Sequence, residues 1–174
     1  MIDLKQTVRS IPDFPKKGVL FFDITTLLSN TDAFRQSLDE MQEFCSNRKV
    51  DKIIGIESRG FIFGGALADR MKVGFVPIRK AGKLPGKTVS ASYDLEYGSA
   101  AIEIHSEAVK TGESVLIIDD LIATGGTLEA SCQLIEKIGA EIAGIAVLIE
   151  LSFLPWREKL DKYDILSLIS FDSE

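Results

Sequence analysis

The run Val115-Leu116-Ile117-Ile118 is apolar without a break, and it is followed at once by Asp119, Asp120 and a glycine-bearing loop that opens a helical pattern. A strand with one wet face alternates polar and apolar residues. An unbroken apolar run marks a strand covered on both faces, as in a parallel sheet flanked by helices. Lys52-Ile53-Ile54-Gly55-Ile56, Val73 to Ile78 and Ile142 to Leu151 repeat that pattern, with helical stretches at Phe61 to Met71 and Thr127 to Ile138 between them. Strand and helix in alternation predict an α/β fold, with an open, mostly parallel twisted sheet and helices on both faces. A chain of 174 residues is the size of one such domain, and no repeat, low-complexity tract or linker divides it.

The remaining segments read less regularly. Leu4 to Ile11 is expected to be a short helix stopped by Pro12, and Asp13 to Thr26 to be extended and looping, with Pro15 and Gly18 as breakers. Thr31 or Asp32 can cap a helix whose apolar face is Phe34, Leu38, Met41 and Cys45. Ser90 to Tyr93 and Ala100 to Ile104 suit the arms of a hairpin around residues 94–99, and Ser106 to Lys110 a short helix. Gly139 suits the left-handed position that closes the helix ending at Ile138, and Ile165 to Ile169 suits an edge strand.

Charge and composition exclude several classes. The net charge of −6 argues against a surface built for nucleic acid. No apolar run is long enough to span a bilayer, and Met1-Ile2-Asp3-Leu4-Lys5 lacks the start of a signal peptide, so a cytoplasmic protein with no membrane partner is expected. Cys45 and Cys132 suit a reducing compartment, and a single histidine, His105, makes a zinc site improbable. One stretch opposes the acidic balance. Arg79 to Lys87 carries four cations, two glycines and a proline with no acid, the make-up of a mobile flap for an anionic ligand.

The loop after Val115–Ile118 carries the chemistry. In an open α/β sheet, ligands bind beyond the carboxyl ends of the strands, where this loop must lie. Gly125 and Gly126 allow backbone N–H groups to converge on a phosphate, the next helix points its positive end there, and Thr124 and Thr127 add hydroxyls. Adjacent carboxylates at Asp119 and Asp120 can accept hydrogen bonds from a vicinal diol. Neither a Walker nor a Rossmann glycine pattern is present.

Joined as strand, two acids, Thr-Gly-Gly-Thr and helix, this segment resembles the phosphoribosyl pyrophosphate (PRPP) signature of the type I phosphoribosyltransferases. Three further stretches resemble the adenine-specific branch of that family: residues 12–25 its base-covering hood, 55–64 its pyrophosphate loop, and 79–86 continuing to 91–98 its catalytic flap. The resemblance implies one domain over 1–174, with the hood in 1–30 and the flap and hairpin in 79–104. It also implies adenine and PRPP as substrates, AMP and pyrophosphate as products, and a homodimer. By the same resemblance Asp119 and Asp120 hold the ribose hydroxyls, and Ala123, Thr124, Gly125, Gly126 and Thr127 wrap the 5′-phosphate. Ser58, Arg59, Arg79 and Lys83 face pyrophosphate. Phe21 stacks on adenine between edge-reading backbone at Leu20 and Phe22, and Glu96 acts as the acid–base group on the purine. Mg²⁺ is the implied cofactor, held mainly by substrate oxygens with no direct protein ligand. A non-proline cis peptide is implied between Glu57 and Ser58.

Two positions depart from the family pattern: Phe22, where a charged residue is common, and Trp156, where glycine is expected. The rival readings are a different purine, xanthine or hypoxanthine, or a non-catalytic sensor of PRPP or purines. The hood and Leu95-Glu96-Tyr97-Gly98 favour adenine, and no residues are left over for a DNA-reading module.

Overall fold

The computed structural model describes residues 1–94 and 98–173. The elements in chain order are β1 (Arg9–Ile11), β2 (Phe21–Asp23), α1 (Thr25–Ser29), α2 (Thr31–Phe44), β3 (Lys52–Ile56), α3 (Gly60–Met71), β4 (Gly74–Lys80), β5 (Thr88–Asp94), β6 (Ser99–His105), β7 (Ser114–Ile122), α4 (Gly126–Ile138), β8 (Glu141–Leu151), α5 (Arg157–Leu160) and β9 (Ile165–Phe171). Seven strands form the main sheet in the order β5-β6-β4-β3-β7-β8-β9. The five from β4 to β9 in that order run parallel, and β6 and β5 add an antiparallel hairpin at one edge.

The unbroken apolar runs feed two cores because successive strand residues point to opposite faces. Ile54, Val115, Ile117, Ile145 and Val147 pack with Leu128, Leu134 and Ile135 of α4. Ile53, Leu116, Ile118, Ala146 and Leu148 pack on the other face with Met41 of α2 and Phe63 and Leu67 of α3. The central parallel strands β3, β7 and β8 are thus covered on both faces, while β4 and the edge strand β9 are partly exposed. The strands end toward one edge of the molecule, so the segments after β3, β4 and β7 meet there.

Several local expectations need correction. Leu4–Thr7 is a single 3₁₀ turn capped by Asp3, and the next residues form β1, which pairs with β2 in a separate two-stranded sheet. Partners so far along the chain leave no periodic trace in a three-residue strand. The N-cap of α2 is Asn30, whose side chain accepts from the N–H groups of Asp32 and Ala33, rather than Thr31 or Asp32. Residues 106–110 form turns and no helix, and the one-turn helix α5 has no counterpart among the expected elements. The hairpin, the edge position of β9 and the left-handed Gly139 (φ 83°) are as expected.

Candidate active site

β7 runs past its apolar stretch through Asp119 and Asp120 to Ile122, so both carboxyls lie at the strand end, and both are buried. They form the floor of a cleft of about 390 Å³ whose walls include Ser58, Arg59, Arg79 and Thr127. A smaller cup of about 110 Å³ adjoins it, lined by Ala123, Thr124, Gly125, Gly126 and Thr127. Gly125 caps α4 in the left-handed region (φ 78°), a conformation costly for residues with a Cβ, and the loop there turns its backbone into the helix N-terminus. The two acids and the cup of residues 123–127 therefore stand side by side.

The acids share one solvent-poor spot. Burial holds the Asp119 carboxyl well above the ordinary carboxylate range, and the neighbouring charge of Asp120 adds to it. Asp120 is also raised by burial, with the guanidinium of Arg59 opposing. The Asp120 N–H donates to Asp119 Oδ1 at 2.9 Å. Arg59 Nε lies 2.7 Å from Asp120 Oδ2 without a linear hydrogen bond to it, so the contact is an ion pair and Oδ2 lacks a hydrogen-bond donor among the described residues. Two acceptors with unspent lone pairs suit a ligand that brings two hydroxyl donors.

The loop after β3 provides the opposite wall. The peptide between Glu57 and Ser58 is cis, as expected. Gly60 opens α3 directly against β7. A Cβ at Gly60 would fall 2.8 Å from the Ile118 carbonyl oxygen and 3.0 Å from Asp119 Oδ1, so only glycine lets this loop approach the acids so closely. Arg59 also stands 5.5 Å from the centre of the Phe21 ring, linking the acids to the hood. Phe14 meets the same ring edge-on at 5.1 Å.

Phe22 turns the other way. Its ring is buried, with its centre 4.0 Å from that of Phe171, so its side chain belongs to the core and only its backbone is available to a base. Leu20 and Phe21 are half-buried and lie outside the lining of the cleft. Glu96 lies outside the described residues. Trp156 is buried against the loop of residues 123–126, where a Cβ on Gly125 would come within 3.1 Å of its own Cβ. This departure from the family pattern builds the back of the cup.

Glu57 is a site residue that sequence reasoning passed over. Its carboxylate accepts from Arg79 Nε and Nη2 at 3.2 and 3.1 Å and from the Lys80 N–H at 3.1 Å. Hydrogen bonding to Arg79 holds its pKa below the usual range. Arg59 pairs with Asp120 and Arg79 with Glu57, a cross-over that adjacency of Glu57 and Arg59 in sequence does not reveal. Arg79 Nη1 also donates to the Lys83 carbonyl at 3.2 Å, while Lys83 itself lies outside the cleft lining.

Fold and site together set two buried acids and a glycine-bearing loop at the carboxyl ends of a parallel sheet, where open α/β folds bind their ligands. The phosphoribosyl transferase domain model matches residues 26–171. An adenine phosphoribosyltransferase of Trichodesmium erythraeum is 54% identical over 170 residues, covering 98% of this chain and 100% of that protein. The crystal structure of the Thermoanaerobacter pseudethanolicus adenine phosphoribosyltransferase superposes with a TM-score of 0.93 at 51% identity, covering 97% of this chain and 98% of that one. The Saccharomyces cerevisiae enzyme, solved with adenine and an imino-altritol bisphosphate, gives 0.89 at 41% identity, covering 95% and 96%. The chain belongs to the phosphoribosyltransferase family and, within it, to the adenine phosphoribosyltransferases.

Proposed function

We propose that this protein transfers the 5-phosphoribosyl group of PRPP to adenine, releasing AMP and pyrophosphate. The observation that carries the reading is the meeting of Asp119 and Asp120, the cup of residues 123–127 and the Ser58–Arg59 loop around one cleft. In this reading the two acids accept the ribose hydroxyls, the cup takes the 5′-phosphate, and Ser58, Arg59, Arg79 and Lys83 receive pyrophosphate. Phe21 stacks on the base while the backbone at Leu20 and Phe22 reads its edge.

The reaction breaks the bond from C1 of the ribose to pyrophosphate and forms one to a purine nitrogen on the opposite face. Bond breaking ahead of attack makes the sugar cation-like, so preorganised charge on the departing polyanion is the main source of rate. Glu96 accepts the purine ring proton as the new bond forms, a role typically worth about 10²–10⁴ in rate. The flap shields the electron-poor sugar from water.

Mg²⁺ belongs to this reading as cofactor. Asp119 and Asp120 offer hard oxygens on the cleft floor, and no three acidic, histidine or cysteine side chains gather into a cage among the described residues. Such a donor set fits an ion held mainly by pyrophosphate and ribose oxygens, which when bound supplies positive charge to the leaving group. We place the protein in the cytoplasm as a homodimer that binds no nucleic acid. Its buried free thiols and acidic charge agree with that, and no described helix is long and apolar enough to cross a membrane.

Pyrophosphate release from PRPP, followed with each purine in turn, tests the reading. Backbone donors and acceptors have fixed polarity, so hypoxanthine leaves buried groups unpaired, and kcat/KM for adenine should exceed that for hypoxanthine by about 10⁴. Comparable values for the two bases would remove the adenine assignment.

A further inference from the structure

The basic flap contains a buried acid at its root. Glu103, in the middle of β6, faces Arg79 of β4 on one side and Ser90 of β5 on the other, and it is only 7% exposed. Its Oε1 accepts the N–H groups of Gly82 at 3.0 Å and Leu84 at 3.1 Å, while Oε2 accepts the Thr88 hydroxyl at 3.3 Å. These backbone donors, that of Leu84 foremost, hold its pKa below the usual range. None of the ion pairs among the described residues includes Glu103, although four cations lie in residues 79–87.

A buried carboxylate that spends its oxygens on two backbone N–H groups and a hydroxyl of one loop is organising a turn. Gly82 (φ 81°) and Gly86 (φ 87°) lie in the left-handed region, which gives the flap its bends and leaves its unfolded alternatives numerous. Glu103 limits those alternatives from both ends. Gly82 and Leu84 belong to the outgoing limb and Thr88 opens the returning one, so one side chain closes the loop over Pro85, Gly86 and Lys87, the last of which also accepts the Ser106 N–H at 3.1 Å. The fixed limb carries Lys83, whose carbonyl accepts from Arg79, and Arg79 is held in turn by Glu57. The chain of contacts runs from Glu103 through the turn to both flap cations assigned to pyrophosphate.

We propose that Glu103 is a positioning residue for PRPP: it presets the turn that carries Lys83 and steadies Arg79, and it acts through the geometry of its oxygens rather than through its charge. The inference rests on the pyrophosphate role given above to Arg79 and Lys83. It differs from that role in naming a residue that touches no substrate.

Two conservative variants separate geometry from charge in the full-length protein. Glu103→Asp keeps the charge but draws the oxygens back by one methylene. Glu103→Gln keeps an acceptor oxygen at full reach and loses the charge. Glu103→Asp should raise KM for PRPP about 10-fold, the equivalent of one ordinary hydrogen bond. KM for adenine should stay within about twofold, a smaller change than one lost hydrogen bond would cause. The amides of Gly82 and Leu84 should exchange faster in Glu103→Asp, and Glu103→Gln should behave nearly as the parent in each measurement. Lys83→Met serves as the control on the underlying role and should also raise KM for PRPP. If Lys83→Met raises it while Glu103→Asp leaves KM and exchange unchanged, the inference is overturned and the pyrophosphate role stands. If Glu103→Gln is impaired as severely as Glu103→Asp, an acceptor oxygen at full reach is not sufficient without the charge, and the inference is equally overturned. If Lys83→Met has no effect, the pyrophosphate role falls and this inference with it.

Discussion

Asp119 is kept where a carboxyl is costly, enclosed by the sheet and beside a second acid. A carboxyl whose folded pKa is raised binds more protons in the folded state, so its contribution to stability falls as pH rises from the unfolded value, about 3.9, through the folded one. At neutral pH it is therefore a liability to folding. Asp119→Asn should raise the melting temperature there, and the gain should shrink as pH falls toward about 4. The same variant should raise KM for PRPP about 10-fold or more, through loss of a charge-assisted hydrogen bond to ribose. Thermal melts across pH, set beside steady-state kinetics, check both halves; a variant that melts earlier but keeps its KM would make Asp119 a folding residue. At this scale the sequence is legible where function is local. Asp119 to Thr127 form one continuous segment, so their joint chemistry can be read directly. Glu57 is illegible for the opposite reason: its partner Arg79 lies 22 residues on, and only the parallel pairing of β3 with β4 brings the two together.

Among elements, an ion pair ties β1 to β2. Arg9 on β1 pairs with Asp23 on β2, directly opposite in register, and donates to its carboxylate from Nε at 3.1 Å and also from Nη2. That bond, with the Thr25 N–H, lowers the Asp23 pKa to about 2. A depressed carboxylate contributes stability that is present above its unfolded pKa of about 3.9 and disappears as pH falls through the folded value. Arg9→Met should therefore melt below the parent at neutral pH, with the difference closing between about pH 4 and about pH 2. A difference that persists at the acid end would assign the loss to packing of the Arg9 stem. The hood also shows where element reading gives out. Three-residue strands are too short for a period of two to register, so Arg9–Ile11 reads as the tail of a helix. Long elements were legible throughout: β7, α4 and β8 fall within a few residues of their expected bounds because burial on both faces, or on one helical face, imposes a sustained pattern.

In the whole molecule, enclosed parallel strands settle the layers, and the layers settle where a ligand can go. The order β4-β3-β7-β8 puts the ends of β3 and β7 side by side, so the cis loop and the acid pair become neighbours although 60 or so residues separate them in the chain. Strand order was not readable from the residues themselves, since apolar runs of similar composition can exchange places. One further consequence follows from Trp156. It is the only indole in the chain, it is fully enclosed, and its Nε1 has no hydrogen-bond partner among the described residues. It also rests on Gly125, the residue that turns the phosphate loop into α4. The protein thus carries a single tryptophan fluorophore behind the cup of residues 123–127. Filling the cup with PRPP should shift or quench the tryptophan emission, saturating at the same concentration as catalysis, and Trp156→Phe should abolish the signal. An emission spectrum indifferent to saturating PRPP would mean that the loop accepts phosphate without pressing on the indole behind it. If the signal appears, ligand occupancy can be followed in real time, without a label, in a chain whose chemistry itself is optically quiet at those wavelengths.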